Sequence, residues 1–232
     1  MNIEGRKFRH EFKYYINYSD YLAVKSRVKH VLKPDPNGDE KGEYFIRSLY
    51  FDDIYDSALF EKNFGVNIRR KYRIRIYNYS NSTIKLERKS KVNQYVCKES
   101  DKLTLEEYYS ALNNNLPVIN TDNEVRKDFF IAVKSKLLRP KVIVDYDREA
   151  FISNISDIRV TFDKDLRVAY SSNDIFNKNI ATQNIIPLPT MIMEVKYNEF
   201  LPDSIRDMLR VEARDLSAIS KYVFCRVQKN NI

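Results

Sequence analysis

Six segments of the chain alternate between apolar residues and charged or polar residues, which is the pattern of a β-strand with one dry face. The clearest is RRKYRIRIY at 69–77, where the cations at 71, 73 and 75 share one face and the apolar residues at 72, 74 and 76 share the other. The other segments lie at 8–16, 83–89, 141–148, 158–163 and 190–197. Five of the six predicted strands carry an ionic face.

A charged strand face that points to solvent is the ordinary interpretation of any single segment. The repetition of Arg and Lys at i and i+2 is harder to explain in this way, because like charges side by side repel and cost stability. The faces make most sense if they converge on a polyanion. We therefore predict an α+β fold, with about eight antiparallel strands closed into a β-tunnel, a basic lumen and helices packed outside.

Helices that cover the sheet are also predicted. Ser19 is a candidate N-cap for a helix over 19–32, which Pro34 ends. Capping boxes of the form T-x-x-E at 104–107 and 121–124 open helices over 104–113 and 121–138, and a last helix starts near Pro202. The stretch 171–189 has little periodicity and is predicted as a long loop. No linker marks a boundary, so a single domain over 1–232 is expected.

The composition excludes several classes of site. The 232 residues include 4 glycines, none spaced as GxxxxGK[ST] or GxGxxG, which excludes Walker-type and Rossmann nucleotide sites. Two histidines and two cysteines cannot build a zinc site of the usual spacing or a disulfide framework, so carboxylates must hold any metal. The chain has no apolar run near 18 residues and no signal-peptide core, so a cytoplasmic protein without a transmembrane segment is expected.

The charge balance points to the kind of partner. Lys and Arg number 40 against 32 Asp and Glu, a formal net charge of +8. An excess of this size favours anionic partners without identifying them, and nucleic acid, a membrane surface and phosphorylated small molecules all fit.

The order of short motifs along the chain resembles a known family. Eight of them recur in the order RHEFKYYI, RSLYFDD, RKYRIRIY, KLERKSK, YDREAF, IRVTFD, MEVKY and SAISKY, over residues 6–226. In this order they resemble the catalytic domain of the vacuolar transporter chaperone (VTC) polyphosphate polymerases, which belong to the CYTH proteins, or triphosphate tunnel metalloenzymes. The resemblance implies a closed antiparallel β-tunnel lined with basic residues.

The resemblance also implies roles for individual residues. The residues expected to grip phosphate during catalysis are Arg73, Arg75, Lys89, Arg148, Arg159 and Lys221. Further substrate contacts are expected from Lys13, Lys71, Lys85, Tyr146, Lys196 and Ser220. The expected ligands of Mn²⁺ or Mg²⁺ are Glu194, Glu11 and Glu87.

Structural alternatives stay open for several of these residues. Glu194 could be an ion-pair partner of Lys196 or of a lumen arginine, and Glu11 and Glu87 could neutralise neighbouring lysines instead of binding metal. Tyr146 could be a wall aromatic that only packs. The first strand reads R-x-E-x-K from Arg9, whereas the hydrolytic CYTH branch usually opens with ExExK. This departure favours the polymerase branch and leaves metal coordination thinner.

The activity implied by the resemblance is transfer of the γ-phosphate of ATP to a growing polyphosphate chain. Its ligands are ATP and inorganic polyphosphate, with pyrophosphate or tripolyphosphate as further candidates. No specific nucleic acid is expected, and any membrane partner would be a separate chain. Two alternatives remain: a CYTH hydrolase acting on tripolyphosphate or another triphosphate, and a non-catalytic module that binds polyanions such as RNA.

Overall fold

The structure is a computed structural model. It describes residues 2–3, 6–7, 9–93, 95–113, 121–211 and 219–229. Contacts divide the chain into two compact units, each built from separate stretches of sequence. The first unit comprises residues 1–45, 146–166 and 184–220, and the second comprises 46–145, 167–183 and 221–232. No observation tests the single domain expected from the sequence, which stays a prediction.

The described residues form short and long strands that alternate with six helices. The strands are β1 (Asn2–Ile3), β2 (Arg6–Lys7), β3 (His10–Ile16), β4 (Lys33–Pro34), β5 (Glu43–Asp52), β6 (Ile68–Tyr77), β7 (Ser80–Val92), β8 (Tyr95–Leu103), β9 (Arg139–Ile152), β10 (Arg159–Ala169), β11 (Gln183–Asn184) and β12 (Met191–Tyr197). The helices are α1 (Tyr18–Val28), α2 (Ser57–Asn63), α3 (Leu105–Leu112), α4 (Glu124–Ser135), α5 (Asp203–Met208) and α6 (Lys221–Lys229), with a 3₁₀ turn at Ile155–Asp157.

The main sheet has the strand order β3-β12-β10-β9-β5-β6-β7-β8, with β11 beside β10 and β4 beside β9. The α+β fold with an antiparallel sheet of about eight main strands is confirmed. In the part of the chain that the structure describes, β3 and β8 are the two ends of this order. Closure into a tunnel is therefore not among the observed pairings and stays a prediction.

The first unit has its core on the apolar face of β3, β9, β10 and β12. Val24 and Val28 of α1 are fully buried there against Phe162 and Val195, and Ile205 of α5 packs into the same cluster. These apolar positions are the ones that the alternation assigned to the dry face. The charged residues at neighbouring positions consequently lie on the opposite face of the same strands.

The second unit has its core on the apolar face of β5, β6 and β7. Leu49, Ile74 and Leu86 are completely buried there, together with Phe129 of α4. Strands β6 and β7 are joined by the two residues Asn78 and Tyr79, whose φ angles are 50° and 57°. Two successive positive φ angles are typical of a tight hairpin turn that keeps adjacent strands in register.

Two of the predicted helix starts are wrong. Helix α1 begins two residues earlier than expected, because Asn17 and not Ser19 accepts the Asp20 amide and forms a capping box with Asp20. Helix α4 is capped by Asn123, whose side chain accepts the Val125 and Arg126 amides, so no Thr121 capping box forms. The capping box of Thr104 and Glu107 is confirmed.

The segments without a clear period were only partly predicted. The stretch 171–189 is a loop as expected, apart from the two-residue strand β11. Strands β5 and β8 and helix α2 were not predicted. The described part of the chain contains no helix of the length and hydrophobicity needed to span a membrane.

Candidate functional site

A row of three lysines crosses the charged face of the second unit. Lys71 of β6 lies directly opposite Lys89 of β7, and Lys89 lies directly opposite Lys98 of β8. Residues directly opposite each other in adjacent strands point to the same face, with Cβ atoms about 4.5–5.5 Å apart. The register of the sheet thus places the three lysines side by side in adjacent strands.

Two further rows add arginines to this face. Arg73 lies opposite Glu87, and Arg75 lies opposite Lys85. The Lys85 Nζ atom sits 5.4 Å from the centre of the Tyr77 ring. On this face of β6, β7 and β8, whose residues the structure describes, Glu87 is the one carboxylate. We call the face that carries these three rows the cationic face.

Glu87 is the centre of an ion-pair cluster. Its side chain is 1% exposed, Arg73 Nε lies 2.6 Å from Oε2 and Lys98 Nζ lies 2.7 Å from Oε1. Arg75 Nη1 is 3.8 Å from Oε2. Burial acts to raise the pKa of Glu87, but Arg73, Arg75 and Lys98 outweigh it and hold the pKa well below its usual value of 4.5.

The pKa of Lys71 is strongly shifted by its surroundings. Burial, together with the charges of Arg69, Lys89 and Lys62, lowers the pKa of Lys71 to about 7. Burial and, to a smaller extent, the neighbouring cations therefore make the protonated form of Lys71 unfavourable, although Asp52 acts in the opposite direction. An anion close to Lys71 would oppose both causes and favour the charged form.

Strand β5 contributes hydrogen-bond acceptors to both arginines. Arg73 Nη1 donates to the Tyr50 hydroxyl at 2.8 Å, and Arg75 Nε donates to Ser48 Oγ at 3.1 Å. Burial acts to raise the pKa of Tyr50, but Arg73, Arg75 and Lys221 bring it below its usual value of 10. Lys221 is the first residue of α6 and is 7% exposed, and its positive charge is one of the causes of the lowered Tyr50 pKa.

The first unit gathers its own charged cluster around Glu194 of β12. Glu194 lies opposite Lys13 of β3, and Lys196 lies opposite Glu11. Lys196 Nζ is 2.7 Å from Glu194 Oε2, and Lys13 Nζ is 3.4 Å from Glu194 Oε1 and 3.1 Å from Glu11 Oε1. Burial acts to raise the pKa of Glu194, but Lys196, Lys13, a hydrogen bond with Glu11 and Arg148 hold it well below its usual value.

Two arginines of the first unit are bound to aspartates. Arg148 forms a two-pronged pair with Asp163, with Nε and Nη2 at 2.6 and 2.8 Å from the two carboxylate oxygens. The guanidinium group also lies 5.2 Å from the centre of the buried Tyr146 ring. Arg159 donates to the Asp35 carboxylate and, at 2.7 Å, to the Tyr44 hydroxyl. Both arginines are thus neutralised by aspartates that were not assigned as their partners from the sequence.

The segment before α6 touches the same cluster, since Lys13 Nζ donates to the Ile219 carbonyl at 3.2 Å. Ser220 is the next residue of that segment. The structure thus places the fifteen predicted site residues in two groups. The second unit holds Lys71, Arg73, Arg75, Lys85, Glu87, Lys89 and Lys221, and the first unit holds Glu11, Lys13, Tyr146, Arg148, Arg159, Glu194, Lys196 and Ser220.

The predicted metal ligands fit a divalent ion only in part. Within the described ranges, no three Asp, Glu, His or Cys side chains come close enough to hold a metal ion by themselves. Both oxygens of Glu87 already bind cations, so Glu87 fits the neutralising role better. Cations also lie at both oxygens of Glu194, with Lys196 Nζ at 2.7 Å and Lys13 Nζ at 3.4 Å, but Glu194 has Glu11 beside it as a second carboxylate. One or two carboxylates suffice for Mg²⁺ when water and substrate phosphates supply the other ligands.

Sequence analysis missed several partners. Lys98 lies in β8, whose buried Val96 and Cys97 are consecutive, which breaks the alternation that would have identified the strand. Tyr50 belongs to the RSLYFDD motif, to which no role was attached. Asp35 carries no local signal, because it is 124 residues from Arg159 in sequence. Asp163 ends the IRVTFD motif but lies in a different strand from Arg148, so the motif alone does not show the pair.

Comparisons with known proteins agree with this fold. The VTC domain family matches residues 8–228. A protein from Hippeastrum, described as an adenylyl cyclase candidate with a dominant triphosphatase activity, is 12% identical, with 96% of each chain covered and a TM-score of 0.55. An adenylate cyclase candidate from Bacillus halodurans is 13% identical, with 88% of this chain and 87% of the other covered and a TM-score of 0.51.

No curated protein sequence matches the chain. At such low identities, the two structural likenesses show the fold alone. The family match is broader evidence, because it covers nearly the whole chain and all fifteen predicted site residues. The chain belongs to the VTC domain family.

Proposed function

We propose that the chain is a polyphosphate polymerase that transfers the γ-phosphate of ATP to a growing polyphosphate chain. The observation that carries the proposal is the row formed by Lys71, Lys89 and Lys98, next to Arg73 and Arg75. Such a row is unfavourable by itself and becomes favourable when a chain of phosphates lies along it. Membership of the VTC domain family supports the same substrate class.

The chemistry asks for charge and positioning rather than for a side-chain nucleophile. Guanidinium groups bind phosphate oxygens through two parallel hydrogen bonds, and lysines act as point charges. In this proposal Arg73 and Arg75 orient the phosphate that is transferred, and Lys71, Lys89 and Lys98 hold the phosphates on either side. The residues of the first unit that would hold Mn²⁺ or Mg²⁺ are Glu194 and Glu11, and such an ion supplies positive charge for phosphate oxygens when it is bound.

A second candidate is hydrolysis of tripolyphosphate or another triphosphate, with water in place of the chain end. The triphosphatase activity of the Hippeastrum protein, whose fold this chain shares at a TM-score of 0.55, favours it. The cationic face would serve either reaction equally, because both develop charge on the same phosphate oxygens.

The test incubates the purified protein with ATP and Mn²⁺, and in parallel with Mg²⁺, and follows ADP, free phosphate and polyphosphate in the same tube. The key variant is Arg73→Ala. The matched control is Arg70→Ala, in the same strand but on the opposite face, where the side chain is 51% exposed and lies 3.5 Å from Asp128. We expect Arg73→Ala to lower turnover about 100-fold or more and Arg70→Ala to leave it within about twofold.

ADP matched by long-chain polyphosphate supports the polymerase. Free phosphate without polymer replaces it with the hydrolase. Binding of polyphosphate without turnover under either metal overturns both and leaves a non-catalytic polyanion-binding module.

A further inference from the structure

The RSLYFDD motif at 47–53 supplies one face of β5 with three buried polar side chains. Ser48, Tyr50 and Asp52 are 0%, 7% and 2% exposed, and they follow each other at every second position. A side chain at every second position of a strand points to the same face. Because Ser48 and Tyr50 lie directly opposite Arg75 and Arg73, this is the cationic face.

The first two of these residues each hold one arginine. Arg75 Nε donates to Ser48 Oγ, and Arg73 Nη1 donates to the Tyr50 hydroxyl. Arg73 is therefore held on two sides, by Tyr50 from β5 and by Glu87 from β7. A guanidinium group that is held at two nitrogens loses rotamer freedom before a ligand binds, which lowers the entropic cost of binding.

The third residue holds helix α6. The Tyr222 hydroxyl donates to the Asp52 carboxylate, which also accepts the Ala58 and Leu59 amides at 2.9 and 3.1 Å. Tyr222 directly follows Lys221, so a bond to Asp52 sets the first turn of α6. Breaking it would release the end of the helix that carries Lys221.

The two tyrosines connect these contacts. The Tyr50 and Tyr222 rings are stacked, with centres 5.3 Å apart and planes 29° from parallel. Lys71 Nζ lies 4.9 Å from the centre of the Tyr222 ring, and the Arg73 guanidinium lies 5.6 Å from that of Tyr50. Aromatic faces attract cations. The stacked rings of Tyr50 and Tyr222 therefore hold Arg73 and Lys71 and keep these two positive charges apart.

We propose that Ser48, Tyr50 and Asp52 are positioning residues, which set Arg75, Arg73 and the Lys221 end of α6 in one arrangement before phosphate binds. The proposal rests on the proposed function for its substrate. It goes further by assigning a positioning role to the RSLYFDD motif. In this role the stacked rings of Tyr50 and Tyr222 connect the arginines of β6 to helix α6.

The central test is Tyr50→Phe, which removes the hydroxyl and keeps the ring stack. Its matched control is Tyr108→Phe, because Tyr108 is 0% exposed and its hydroxyl donates to the Asn173 carbonyl at 2.8 Å, on the apolar side of the same unit. Affinity for inorganic tripolyphosphate is measured by calorimetry, and kcat and KM are measured separately in the assay above. Loss of a hydrogen bond to a charged group predicts about tenfold weaker binding and lower kcat for Tyr50→Phe.

A second pair of variants tests the helix contact. Asp52→Asn keeps an oxygen that accepts the Tyr222 hydroxyl, whereas Asp52→Ala does not. We expect Asp52→Asn to retain most of the kcat that Asp52→Ala loses. Because Asp52→Ala also removes the contacts to the α2 amides, Tyr222→Phe provides the same loss of the hydroxyl bond with no change at Asp52.

The outcomes separate this inference from the proposed function. Weaker tripolyphosphate binding in Arg73→Ala and Tyr50→Phe, but not in Tyr108→Phe, supports both. If Arg73→Ala weakens binding while Tyr50→Phe and Tyr222→Phe match the unmodified protein in affinity and kcat, the positioning role is overturned and the function stands. If Arg73→Ala binds tripolyphosphate as tightly as Arg70→Ala does, the proposed function itself fails.

Discussion

In the first unit, Arg148 and Arg159 are each bound to a carboxylate, whereas in the second unit three lysines lie side by side in register. Both arrangements occupy the charged face of antiparallel strands. They differ in the source of neutralisation. The first unit supplies its own aspartates, whereas among the described residues of β6, β7 and β8 the cationic face has Glu87 alone, and Asp52 of β5 accepts bonds from Tyr222 and the α2 amides.

In the proposed function, this difference separates ion pairs that stabilise the fold from cations that bind phosphate. A buried ion pair is satisfied without a ligand, and loss of one partner leaves the other charge buried and unpaired. Crowded cations have the opposite property, because they destabilise the free protein and gain when an anion binds. The two charged clusters should therefore respond differently to mutation and to added phosphate.

The largest effect is expected from Arg148→Met. The variant leaves Asp163, whose side chain is 0% exposed, without its two-pronged partner. The free energy of unfolding should fall by about 3–5 kcal/mol, measured by chemical denaturation. Arg206→Met is the control, since its pair with Asp203 is 59% and 85% exposed and should contribute at most about 1 kcal/mol. Recovery of Arg148→Met by added tripolyphosphate would contradict the structural interpretation.

A smaller effect, with the opposite response to ligand, is expected from Glu87→Gln. Removal of this charge from between Arg73 and Lys98 should lower the free energy of unfolding by about 2 kcal/mol. Tripolyphosphate should then raise the melting temperature of the variant more than that of the unmodified protein.

The pH dependence of this effect has a definite sign. The pKa of Glu87 is lowered in the folded protein, so its contribution is fully present above its ordinary value of 4.5 and is lost as the pH falls through the lower folded value. The difference between the two proteins should therefore shrink below that value. If tripolyphosphate raised the melting temperatures of Glu87→Gln and of the unmodified protein by the same amount, the expected difference between the two units would be contradicted.

The smallest effect concerns the pH dependence of binding. Lys71 has a pKa of about 7 in the free protein, and a bound anion favours its charged form. Binding should therefore take up protons and weaken as the pH rises above 7. Calorimetry of tripolyphosphate in buffers of different ionisation enthalpy measures this uptake, and Lys71→Met should reduce it. The ligand's own titration cancels in the comparison, so identical proton uptake in both proteins would show that Lys71 does not face the anion.

The sequence predicted the parts of the fold that depend on local pattern. Arg73 and Arg75 were placed on one face because apolar residues alternate with them, and the sheet has that arrangement. Strand β5 was not predicted from the sequence, because both of its faces are buried. Arg47, bound to Asp145, and Ser48, bound to Arg75, occupy opposite faces of one strand, so no period of two can be seen.

The partners of the site residues were beyond sequence analysis for a different reason. Metal binding and neutralisation of nearby cations, the two alternatives for Glu87, both require a carboxylate, so the sequence does not distinguish them. The register of β6, β7 and β8 brings Arg73 and Lys98 to Glu87, where they bind both of its oxygens. Pairs such as Arg159 with Asp35 form across more than a hundred residues of chain, where no local spacing can report them.

The bond between Asp52 and Tyr222 spans 170 residues of chain. At about 5–20 residues per second, a ribosome needs roughly 10 to 35 seconds to make the distance between them. The strands with the lysine row emerge well before the helix that completes the arrangement. During synthesis, the nascent chain thus carries the lysine row for many seconds before the bond that fixes α6 can form, and over that interval the lysines can attract any polyanion nearby.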